Sequence, residues 1–140
     1  MIRFLRAALP LAAMLASPLP ARADDYTAVS NTAMSITGDI SMDDFAITFA
    51  NGKSLEFAEL TADHLTVDGE DRPASVYRVA KPADPKLENG NRLCGSGPVI
   101  YVASWGVDGD DTATIVAVFT GGEPASSDEM CASYTYEIAQ

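Results

Sequence analysis

Cys94 and Cys131 are the only cysteines in the chain, and thiols so placed can form a disulfide, hold a metal or act as nucleophiles. A zinc site would need further thiolate or imidazole ligands, and the sequence offers one histidine, His64. Two cysteines behind an export signal therefore read as a disulfide. The bridge would close a loop of 36 intervening residues. In the chain-entropy model that constraint on the unfolded state is worth roughly 3 to 4 kcal/mol, a large share of the stability of a small domain.

The other reactive side chains form no catalytic set. His64 has no serine or cysteine nucleophile signature around it and reads as a surface residue. Asp108, Asp110 and Asp111 surround Gly109 in the manner of a calcium loop, yet the spaced oxygen ligands and distal glutamate of an EF-hand are missing. They read as a solvated hairpin tip, and the pairs Asp43-Asp44 and Asp128-Glu129 carry no stronger sign of a metal site. The expectation is a protein that is not an enzyme, with no metal and no cofactor; the rival from another class is a metal-dependent hydrolase using the acids near Asp108. Tyr101, Trp105, Tyr134 and Tyr136 fall on strand-like stretches, where aromatics either fill a core or line a ligand pocket. Core is the default, and sequence alone does not separate the two.

The disulfide reading depends on export to an oxidising compartment. Arg3 and Arg6 head an apolar run from Ala7 to Ala16, and Ala21-Arg22-Ala23 supplies a small-x-small cleavage site, so residues 1–23 read as a secretory signal peptide cut after Ala23. The run is too short for a membrane span and is interrupted by Pro10, Pro18 and Pro20. No cysteine stands at the cut to be lipidated, and the arginines are not adjacent as twin-arginine export requires. The destination is the periplasm or the medium, with no membrane attachment after cleavage.

The leader carries three of the nine basic residues and none of the twenty acidic ones. The mature chain then holds 20 acids against 6 bases, a net charge of −14. Such a surface disfavours nucleic acid and anionic lipid and permits cationic proteins or divalent cations as partners, the default being that the charge only keeps an exported protein soluble. The remaining 117 residues suffice for one domain with one core.

Asp24 to Thr32 is polar without a clear period and is expected to be a flexible arm, so that a single β domain spans 33–140. Ala33 to Ile40 and Phe45 to Phe49 read as strands. At Asn51-Gly52 a two-residue turn would set Ile47 against Glu56. A three-residue loop of Ala50, Asn51 and Gly52 instead sets Ile47 against Leu55 and Phe45 against Phe57, with glycine at the left-handed third position. The apolar face selects the second register. His64 to Val67 predicts a half-buried strand with Leu65 and Val67 on one face and His64 and Thr66 on the other, Asp68 to Pro73 a charged turn, and Ala74 to Val79 another strand. Lys81 to Asn91 reads as a long surface loop. Val99 to Trp105 and Thr112 to Phe119 are apolar on both faces, joined by a loop over Gly106 to Asp111. After a loop from Gly121 to Met130, Cys131 opens the last strand, with Tyr134, Tyr136 and Ile138 on one face. Seven to eight short strands and one disulfide predict an all-β antiparallel barrel or sandwich.

Cys94-Gly95-Ser96-Gly97 followed by Tyr101 resembles the serine-glycine-tyrosine loop that bacterial envelope inhibitors of c-type lysozyme insert into the enzyme's cleft. The likeness covers a handful of residues, the spacing to the tyrosine departs from that family's, and its second, lysine-containing loop has no counterpart. It implies Ser96, Gly97 and Tyr101 as a binding loop. The general character of the mature chain is closer to short secreted proteins of proteobacteria without an assigned function. The expected function is a periplasmic binding domain that takes a protein or small ligand through surface loops, with lysozyme inhibition as the alternative.

Overall fold

Side chains alternate faces along a strand, so the residues that share a core reveal how the strands join. The computed structural model describes residues 23–139; the leader expected over 1–23 lies, apart from Ala23, outside them. Eight strands run β1 (Asp24–Ala28), β2 (Ile40–Met42), β3 (Ala46–Thr48), β4 (Ser54–Val67), β5 (Glu70–Ala83), β6 (Val99–Val107), β7 (Asp110–Phe119) and β8 (Ala132–Ile138). Each is antiparallel to the next, and β8 returns to pair with β1, closing a barrel. Of the two expected architectures the molecule adopts the barrel.

The β3–β4 hairpin has the register that its apolar face selects: Ile47 lies opposite Leu55. Phe49 N–H donates to the Lys53 carbonyl at 2.8 Å, leaving Ala50, Asn51 and Gly52 as the loop, and Gly52 has φ +88°. Leu65 and Val67 share one face and are buried, as their alternation predicts, but they pack in a cluster on the outside of the barrel and not in its interior.

Four expectations are corrected. Asp24–Ala28 is not an arm but the strand that closes the barrel, pairing Tyr26 with Ile40 on one side and with Ile138 on the other. Its inward positions are only Tyr26 and Ala28, too few to give a period. Ala33 to Ile40 is not one strand: Ala33–Thr37 form a wide π-type helical turn, and β2 begins at Ile40. The turns expected at 68–73 and 106–111 shrink to the pairs Asp68-Gly69 and Asp108-Gly109. The loop expected over Lys81 to Asn91 is strand up to Ala83. Both β4 and β5 run for 14 residues. Register shifts between Phe57 and His64 break the alternation that would have revealed their length.

An eight-stranded barrel is just wide enough for side chains to fill it. Here Ile47, Leu55, Val102, Val116, Tyr134 and Tyr136 do so. The π-type turn packs on the same cluster through Ala33, while Leu87 and Leu93 from the β5–β6 connection join it. Gly38 ends that turn with φ +63°, and a Cβ there would stand 2.6 Å from the Cβ of Ala50, so only glycine fits against the β3–β4 loop.

A second cluster lies on the opposite face. Ala103 and Trp105 alternate with Val102 on β6, and Ala117 and Phe119 alternate with Val116 and Val118 on β7. The connection over 120–131 covers this face: Ser127 is buried, and Thr66 N–H donates to the Ala125 carbonyl at 3.3 Å. This second core explains why β6 and β7 are apolar on both sides. Among the described residues no helix is long and apolar enough to cross a membrane.

Candidate functional site

The two cysteines are joined, with Cα atoms 5.7 Å apart, and no cysteine among the described residues is free. The bridge links the segment before β6 to the segment opening β8, where Cys131 N–H donates to the Val118 carbonyl at 2.9 Å. On the Cys94 side, the Asp84 carboxylate accepts from Cys94 N–H at 2.8 Å and from Gly95 N–H at 2.7 Å. The buried Tyr134 hydroxyl donates to the carbonyl of Leu93. Three independent ties thus hold the chain just before Ser96, which is exposed with its Oγ 3.1 Å from the Cys94 sulfur. Gly95 and Gly97 take φ of +84° and +143°, the left-handed backbone that brings the loop around sharply.

Tyr101 does not join that loop through a hydrogen bond. It is half-buried, lies opposite Arg78 and Phe119, and packs with the outer cluster, whereas Cys94 packs against the barrel interior.

The remaining candidates resolve into local structure. His64 is exposed, with Nδ1 2.8 Å from Asp63; that hydrogen bond raises the imidazole's pKa and lowers the carboxylate's. Asp108 pairs with Arg72 at 2.6 Å, and Arg72 also donates to the Gly106 carbonyl. Asp110 accepts from the Thr112 hydroxyl and N–H at 2.7 and 3.0 Å, contacts that hold its pKa below the usual range. Asp43 accepts from the N–H groups of Phe45 and Ala46, and Asp44 from the Tyr77 hydroxyl at 2.7 Å. Glu129 closes a capping box with Ser126. Among the described residues no group of three or more His, Cys, Asp or Glu is arranged to hold a metal ion.

The aromatics divide. Tyr134 and Tyr136 fill the barrel interior, and the Tyr136 hydroxyl lies 2.6 Å from Thr37 Oγ1. Trp105, only 6% exposed, sits on the other face and lines a recess of about 340 Å³. The tips of the β4–β5 and β6–β7 hairpins frame the recess with the 120–131 connection, through Val67, Asp68, Arg72, Asp108, Ser127 and Met130. No local pattern announces the recess itself, because its cover is a polar segment without periodicity. The sole hint was Trp105 on a strand whose two faces are both apolar.

No family model, curated protein or solved structure matches this chain. Fold and site define it as a closed eight-stranded antiparallel barrel with a filled interior, one disulfide and, among the recesses on its outside, one lined by Trp105.

Proposed function

We propose that this chain is a non-catalytic binding domain, exported to the periplasm or medium, that engages a protein or small ligand through its surface loops. One observation carries the reading: the exposed turn over Gly95, Ser96 and Gly97 is fixed by the disulfide, the Asp84 carboxylate and the Tyr134 hydroxyl. A loop ordered before contact loses little conformational entropy on binding, and loops on a rigid scaffold are where recognition concentrates. The disulfide agrees with an oxidising compartment, and the cleaved leader supplies the route. The rival reading, a metal-dependent hydrolase at Asp108, is tested by metal analysis of protein purified without chelator. A stoichiometric metal together with a hydrolytic activity lost on chelation would overturn the binding reading.

Lysozyme inhibition is the second reading, favoured by the exposure of Ser96 on that fixed loop and by the net charge of −14 after leader removal. A cationic lysozyme would be steered to such a surface at low salt. Steering is non-specific, so inhibition in a lysis assay should persist at moderate salt and drop on Ser96→Ala. Inhibition that vanishes with salt and ignores the substitution leaves charge attraction alone and removes the reading.

A further inference from the structure

We propose that the Trp105 recess receives the side chain of an arginine or lysine presented by a basic polypeptide. The inference rests on the binding reading above and names both a surface and a partner chemistry for it. The floor is apolar and aromatic: Val67, Trp105, Val107, Ile115 and Met130. The carboxylates of the lining are Asp68 and Asp108, and the framing segments carry further acids in their sequence, Asp71, Asp111, Asp128 and Glu129. Arg72 is the only basic residue in those segments, and its guanidinium is already matched by Asp108 and the Gly106 carbonyl. The lining therefore leaves one carboxylate, Asp68, without a cationic partner beside an apolar floor, which fits a group with an aliphatic stem and a cationic end. An anionic ligand would meet that carboxylate with like charge.

A second observation points to the same place. The indole N–H of Trp105 is the one buried side-chain donor or acceptor among the described residues with no hydrogen-bond partner. Such groups are expensive to bury unpaired. A backbone carbonyl of a bound peptide, admitted by a shift of the flanking side chains, would supply the acceptor. Met130, 39% exposed, gives that wall an adaptable thioether.

Trp105 is the chain's only tryptophan, so its emission reports on the recess alone. The probes are acetyl-Leu-Arg-Leu-amide, its citrulline counterpart of the same shape without charge, and its glutamate counterpart. The arginine peptide should change Trp105 emission saturably, and the other two should not. Asp68→Asn should weaken binding about fivefold. Asp68 holds φ +51° in its turn, a conformation asparagine tolerates, so the fold should survive the change. Glu137→Gln, on the exposed face of β8, removes the same charge elsewhere and should leave the affinity within about twofold. Equal binding of the citrulline peptide, equal weakening by both substitutions, or no binding of the arginine peptide would overturn the proposal. Binding seen by calorimetry without any change in Trp105 emission would overturn this site while leaving the loop reading intact.

Discussion

Tyr134 and Tyr136 occupy the barrel interior with their hydroxyls bonded to Leu93 and Thr37, and that placement makes the fold sensitive to alkali. Burial, and then the charge of Asp84, pushes the Tyr134 pKa up to about 12 from 10.0. Tyr136 is raised further, chiefly by burial. Tyr77, stacked on Phe57 with ring centroids 4.5 Å apart, is pushed up to about 12 by burial and by its bond to Asp44. An acid whose folded pKa lies above its unfolded value is neutral in both states below pH 10. Above pH 10 the unfolded state gives up its proton first, so stability falls progressively as pH rises toward about 12. Phenolate absorbance and far-ultraviolet dichroism should therefore show the buried tyrosines ionising together with loss of the sheet. Ionisation of all five tyrosines with the dichroism unchanged would contradict this burial.

At the scale of the element, β1 closes the barrel with only five residues. Deleting 24–28 would leave the edges of β2 and β8 unpaired, and open edges recruit other chains. The truncated protein should lose its cooperative thermal transition and elute as aggregate in size exclusion, whereas removal of a free arm would change neither. Where strands alternate cleanly, the sequence was sufficient: Ile47 against Leu55, Leu65 and Val67 buried on one face, Tyr134 and Tyr136 on one face. Where a bulge or a two-position strand intervenes, periodicity disappears, which is why the middle of β4 and all of β1 were not legible. The Cys94–Cys131 pair was legible because no other ligand competes for the thiols. Of the candidate loop, the exposure of Ser96 follows from its glycine-rich setting; the packing of Tyr101 on the outer cluster depends on the cover over 120–131, which no local pattern announces.

For the molecule as a whole, the disulfide encloses the β6–β7 hairpin and the cover of the second core in one covalent loop. Cys94→Ser or Cys131→Ser should lower the unfolding free energy by about 4 kcal/mol in the chain-entropy model, read from denaturant midpoints at equal slope. Thiol titration of the native oxidised protein should find none, and two reactive thiols would refute the bridge. The seam between β1 and β8 has a different consequence. Ala139 N–H donates to the Asp25 carbonyl at 2.9 Å, so the two ends of the described chain lie side by side. Order along the polypeptide is therefore separable from order around the sheet. A gene rewired to join Ala139 to Asp24 through a short glycine linker, and cut between Asp68 and Gly69, would encode a circular permutant that keeps all eight pairings of the barrel while placing its new ends beside Trp105, where a fused reporter would sit at the mouth of the recess.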